Sequence, residues 1–282
     1  MVKIISDSTC DLSEELLKRY DVDIVPLHVL MGDNEYEDGV DIKPDDIYAW
    51  SDANKTTPKT SAPSLERVVN VFKPYIDEGR EIVSFSISED MSTSANVMRL
   101  AAAELNAQDK IRVIDSANLS TGIGLQVIEA AIMAAEGKSA AEIEERIEQI
   151  KPRVRASFVV DTLTYLYRGG RCSGLAAMAG GVLKLHPRIG VADGKMSPGK
   201  KYRGNIYKAI MDYVKDMEGS LKNAETSRVF ITHSGCDRQI IDDVRTYLEG
   251  LNIFDEILET RAGGVISSHC GPGTLGVLFI EK

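Results

Sequence analysis

Read from the N-terminus, the chain alternates short β-branched runs with stretches whose apolar residues recur at helical spacing. Lys3–Ser6 and Val22–Met31 read as extended segments, the second with Pro26 favouring an edge or a bend. Between them Asp11, with Glu14 three residues on, resembles a capping box opening a helix over Leu12–Tyr20. Glu81–Ile87 and Ile111–Ile114 are further strands. Each is followed by a Ser/Thr-rich turn and an alanine-rich helix, Thr93–Leu105 and Thr121–Ala135. This alternation predicts parallel β-α units, hence an α/β fold with a three-layer N-terminal domain around a mainly parallel sheet.

After about residue 155 the rhythm changes. Ser157–Asp161 and Arg188–Ala192 read as strands, and Ala192-Asp193-Gly194-Lys195 predicts a hairpin turn. In Asn205–Glu218 the residues Ile206, Ala209, Ile210, Tyr213, Val214 and Met217 share one helical face. A strand (Arg228–Thr232), a helix (Asp237–Leu248) and two strands (Asp255–Arg261, Thr274–Ile280) complete an α+β domain with a mixed sheet. The expected domains are residues 1–155 and 156–282.

Composition narrows the function. With 33 Lys+Arg against 43 Asp+Glu, the net charge of −10 repels a phosphate backbone and argues against nucleic-acid binding. The start turns acidic too early for a signal peptide, and the most apolar stretch, Gly174–Leu183, is far shorter than a membrane span. Four dispersed cysteines suit a reducing cytoplasm, so the chain is expected to be cytoplasmic, with no integral membrane association. Four scattered histidines suggest no metal site.

Several motifs fail on inspection. Gly194–Lys201 resembles a P-loop, but Lys201 stands where Ser or Thr must hold Mg²⁺, and Pro198 lacks an N–H. Gly122-Ile-Gly124 lacks the third glycine of a dinucleotide fingerprint. Asp7–Asp11 reads as a strand end entering an N-capped helix more readily than as an aspartyl-phosphate nucleophile.

Three hydroxyl-rich stretches remain. Thr56–Ser64 holds Thr60 and Ser61 between two prolines, with Ser61 or Ser64 placed to cap the next helix. Ser86–Ser94 lies between a strand and a helix start, where unpaired N–H groups receive anions. Gly263–Thr274 reads as a glycine-flanked loop from which His269 protrudes. Neutral donors and one imidazole suit a carboxylate better than a polyphosphate. The enzymatic alternative is a serine-dependent esterase or acyltransferase using Ser92 and His269.

The ordered set of motifs resembles the DegV family of fatty-acid-binding proteins, over nearly the whole chain. Ser6–Leu12, Pro58–Ser64, Val113–Ser116, Tyr165–Arg171, Leu183–Pro187 and His269–Gly273 carry the resemblance. It implies a ligand cleft between two domains. One long-chain fatty acid would place its tail in an apolar tunnel and its carboxylate against Thr60, Ser92 and His269, with Ser61 and Thr93 beside them. It also implies no catalysis and no cofactor in this chain. A separate fatty acid kinase would phosphorylate the bound carboxylate for phospholipid synthesis, with Arg171 and Arg203 facing that partner. The apolar run Leu175–Leu183 is a candidate tunnel wall. The chain departs from the family's Ser-Gly-Thr at Ser92-Thr93-Ser94, which puts a side chain at position 93.

Overall fold

The computed structural model describes residues 1–172 and 185–282, so the apolar run 175–183 lies outside the described residues. The strands of the first half are β1 (Lys3–Asp7), β2 (Val22–Val25), β3 (His28–Met31), β4 (Asn34–Glu37), β5 (Lys59–Ser61), β6 (Ile82–Ser86) and β7 (Ile111–Asp115). The second half supplies β8 (Val154–Val159), β9 (Leu185–Ala192), β10 (Lys195–Arg203), β11 (Ala224–His233), β12 (Glu256–Arg261) and β13 (Leu275–Glu281).

Three sheets result. A parallel sheet has the order β2-β1-β6-β7. A mixed sheet has the order β10-β9-β8-β13-β11-β12, parallel only between β11 and β12. The third, antiparallel β4-β3-β5, arises because the expected segment Val22–Met31 is split. Pro26 offers no N–H to a ladder, so β2 ends as the edge of the parallel sheet and β3 starts another.

The helix Thr121–Ala135 joins the two large sheets. It is apolar on nearly every face and packs on β1 and β6 on one side and β8 and β13 on the other. A helix hydrophobic all round has to be covered all round. One apolar cluster accordingly runs from Ile4 and Phe85 through Leu125 and Ile128 to Phe158 and Leu278. The amphipathic helices Ile206–Asp216 and Arg238–Gly250 cover the other face of the mixed sheet, burying Tyr213, Val214 and Val244. Asn205 and Asp237 cap them, as Ser64 caps Leu65–Asp77.

Two local expectations are corrected. The first helix runs Glu14–Arg19 and is capped by Ser13, not by Asp11. Asp11 has a left-handed backbone (φ 52°) and is buried, with its carboxyl turned inward. Gly263–Thr274 is not a protruding loop, because Gly264–Cys270 forms a short helix. The near P-loop is the β9–β10 hairpin. Asp193 and Gly194 both take positive φ, as a two-residue hairpin turn requires, and Pro198 sits on an edge strand.

Candidate functional site

In the parallel sheet the chain steps from β1 outward to β2 and later returns to the opposite side of β1 as β6. The crevice beyond the carboxyl ends of such diverging strands is where open α/β sheets receive ligands. Asp7, at the end of β1, closes this junction. Its Oδ2 accepts from Ile87 N–H at 2.8 Å and its Oδ1 from Thr9 N–H at 3.1 Å. Beyond Ile87 the chain turns through Ser92, whose Oγ lies 2.8 Å from Ser94 Oγ and accepts from Ser94 N–H at 3.3 Å. Thr93 is exposed and makes no capping bond, and among the described residues it is Ser92 that accepts from the first N–H of the helix Ser94–Glu104.

Thr60 lies on β5, paired with Val29 of β3, and its Oγ1 is 2.8 Å from His269 Nε2. His269 occupies the last turn of the helix Gly264–Cys270. The first turn of that helix is held by two buried carboxyls: Asp11 Oδ1 accepts from Gly263 N–H at 2.7 Å, and Asp38 Oδ1 from Gly264 N–H at 2.6 Å. Acceptors at these unpaired N–H groups fix where the helix begins, and so where His269 ends up. Gly264 is required there, since a Cβ would stand 2.9 Å from Asp38 Oδ1 and 3.0 Å from Ile47 Cδ1.

Burial, aided by the nearby charge of Arg171, lowers the His269 pKa to about 4, so the ring is neutral at pH 7. Its Nδ1 is buried with no partner among the described residues and faces Gly169, where a Cβ would lie 2.2 Å away. An unpaired lone pair costs less than an unpaired buried N–H. The proton therefore belongs on Nε2, donated to Thr60 Oγ1, which leaves the Thr60 hydroxyl proton for a ligand.

These groups share one cavity of about 440 Å³. Its polar lining includes Thr60, Ser61, Ser92, Thr93, His269 and Arg171, so three segments distant in sequence meet at one cavity. Leu27, Ile87, Met91, Leu119, Val265 and Ile266 contribute the apolar wall. Arg171 is exposed and donates to Gly169 O at 2.7 Å. Arg203 does not join the site. It is exposed at the end of β10, in a groove with Lys200, Lys201, Lys208 and Lys215. Sequence reasoning missed Asp38 and Gly169, and it gave Asp11 to the wrong helix. Asp11 does have the signature of a cap, but the N–H it caps is 252 residues away. Among the described residues, no group of acidic, His or Cys side chains is arranged to hold a metal ion, and no helix is long and apolar enough to cross a membrane.

The family model described as "Uncharacterised protein, DegV family" matches residues 1–282. The chain belongs to the DegV family. A DegV domain-containing protein of Clostridium perfringens is 31% identical over 281 residues, covering 100% of this chain and 99% of the relative. Among solved structures, a DegV family protein from Thermus thermophilus, described by its fatty acid binding, superposes with a TM-score of 0.90 at 29% identity, covering 100% of this chain and 99% of the other. A stearic acid-binding protein from Eubacterium ventriosum superposes at 0.86 with 32% identity and the same coverage. Of the segments that carry the resemblance, Pro58–Ser64 supplies Thr60 and Ser61 to the cavity, Tyr165–Arg171 supplies Arg171 and His269–Gly273 supplies the imidazole, while Asp7 and Asp11 of Ser6–Leu12 lie outside its lining.

Proposed function

We propose that this chain binds one long-chain fatty acid, with its carboxylate held by Thr60, Ser92 and His269 and its tail along the apolar wall, and presents the head group to a separate kinase. The observation that carries the reading is the meeting of Thr60, Ser92 and His269 on one largely apolar cavity, in a fold whose neighbours are described as fatty-acid binding. The energetics divide the labour. Each buried methylene contributes about 0.8 kcal/mol, so a sixteen-carbon tail supplies roughly 10–12 kcal/mol before the cost of lost freedom. Each hydrogen bond to a charged head group adds about 1.5–3 kcal/mol. The tail sets affinity, and the hydroxyls and imidazole set where the carboxylate points. A neutral His269 leaves that carboxylate without a tight cationic partner, available to attack a phosphoryl group. Arg171, exposed on the cavity wall, is the residue we place facing the kinase, with Arg203 as a second, more distant contact.

The esterase alternative requires His269 to activate Ser92. Their observed bonds run elsewhere, His269 to Thr60 and Ser92 to Ser94, which supports the binding reading. The test is oleate titration of the wild type, Thr60→Val and Ser92→Ala, followed by incubation of the loaded protein with a fatty acid kinase and ATP. The expected result is saturable binding at one site, weaker in both variants, and acyl-phosphate formed only when both proteins are present. Labelling of Ser92 by a fluorophosphonate probe, with no oleate uptake, would overturn the proposal.

A further inference from the structure

The β9–β10 hairpin lies at the edge of the mixed sheet, where the tip of a two-residue turn ordinarily faces solvent. Asp193 does so, but Gly194 is buried. So is Met196 two residues on, which lines the cavity. The tip is inserted into the other half of the molecule, in a nook beyond the carboxyl ends of β6 and β7. There the fully buried Ser88 donates from Oγ to Gly194 O at 2.7 Å. A Cβ on Gly194 would stand 2.6 Å from Ser88 Oγ, 3.2 Å from Asp90 Oδ2 and 3.8 Å from Ala117 Cα, so these three residues enclose the tip. The turn alone, with positive φ at both positions, tolerates asparagine or aspartate at 194. It is the nook that excludes a side chain.

Ser88 is also the hub of the turn that carries Ser92. Its C=O accepts from Met91 N–H at 2.9 Å and from Ser92 N–H at 3.1 Å, and its own N–H donates to Asn118 O at 2.9 Å. Its Oγ accepts from Asp90 N–H at 3.2 Å while donating to Gly194. The next residue is tied to the end of β7, where Asp115 Oδ1 accepts from Glu89 N–H at 3.2 Å and from Ala117 N–H at 2.9 Å. Lys195 and Asp90, 3.5 Å apart, join the same two segments at the surface, but an exposed ion pair contributes little. The Ser88 hydroxyl is therefore the joint that matters. Were it to turn away from Gly194, Asp90 N–H would lose its acceptor too, and the turn would be free to carry Ser92 off its present line.

We infer that the hairpin tip sets the head-group site from the opposite half of the molecule: Gly194, docked on Ser88, fixes the turn that presents Ser92 to the ligand carboxylate. Ser88 and Gly194 are positioning residues, and neither lines the cavity. The inference rests on the binding proposed above and adds to it a source of head-group selectivity. Of the apolar wall, Leu27, Leu119, Val265 and Ile266 lie outside this turn. Displacing the turn should therefore weaken a carboxylate more than a neutral head group on the same tail. Gly194, the first residue of the P-loop-like stretch, is thereby accounted for by a close approach of backbone to side chain and not by a phosphate.

The experiment titrates the wild type, Ser88→Ala, Gly194→Asn and Asp193→Ala with oleate and with oleyl alcohol, which has the same tail and no carboxylate. It also records ¹H–¹⁵N spectra of each protein without ligand. Ser88→Ala removes the bond, and Gly194→Asn keeps a residue the turn tolerates but fills the nook. Asp193→Ala strains the same turn outside the nook. In the first two, oleate affinity should fall about tenfold and oleyl alcohol affinity by less than about threefold. The Ser94 amide, which donates to Ser92 Oγ, should shift in the same direction in both. Asp193→Ala should keep the wild-type values. Unchanged oleate affinity and Ser94 signal in Ser88→Ala, equal loss of both ligands, or the same losses in Asp193→Ala would overturn the inference. Ser88→Ala decides the matter should Gly194→Asn fail to fold. Because the Ser94 signal needs no ligand, it tests the positioning even if the wild type binds no fatty acid, an outcome that would sink the fatty-acid reading alone.

Discussion

Thr60 and His269 test the site one side chain at a time. Thr60→Val keeps shape and removes the hydroxyl that connects the imidazole to a ligand. Oleate affinity should fall about tenfold, as expected for one hydrogen bond to a charged group, with little change in melting temperature, measured by titration and thermal unfolding. Gly169→Ala attacks the same bond from the other side. Its Cβ would displace His269 Nδ1, so affinity should drop while the exposed neighbours Arg168 and Arg171 keep their places. His269 also has a pH signature. Its pKa is lowered by burial to about 4 from an ordinary 6.5, so the unfolded chain binds a proton in that window and the folded one does not. Stability should therefore fall as pH drops from about 6.5 to about 4, by up to ~3 kcal/mol, and His269→Asn should lose that dependence in denaturant titrations.

The helix Gly264–Cys270 shows how a whole element is aimed. Asp11 and Asp38 hold its first N–H groups, and Gly264 leaves no room for a side chain. Gly264→Ala should cost about 1–3 kcal/mol by overpacking and weaken oleate binding as well, because the helix must back away from Asp38. Calorimetry and oleate titration of the same sample would check both effects. This element also marks the limit of what the sequence discloses. The central helix Thr121–Ala135 was legible as an alanine-rich helix suited to packing against a sheet, but its burial between two sheets was not. The hairpin at Asp193-Gly194 was legible for its turn chemistry. Gly263-Gly264 followed by Ser267-Ser268 looks like a loop because the acceptors that make it a helix come from Asp11 and Asp38, far away in the chain. Thr60, Ser92 and His269 were legible as hydroxyl-rich or glycine-flanked clusters. Their meeting at one cavity depends on strand order, which no local pattern encodes.

At the scale of the molecule, the two large sheets share one core through the central helix. Leu125, fully buried in that helix, touches this common cluster, so Leu125→Ala should cost about 2–5 kcal/mol and lower a single unfolding transition. Two separated transitions in calorimetry would contradict a shared core. The cavity lies where the segments from the two sheets and from β3–β5 come together, which makes the occupied state a property of the whole fold. The central claim is that the occupant is a fatty acid. Native mass spectrometry of the purified protein, followed by solvent extraction and identification of the released lipid, tests it most directly. The account predicts one bound fatty acid per chain, or stoichiometric uptake of added oleate by stripped protein, lost on denaturation. A bare protein that takes up neither palmitate nor oleate would contradict it.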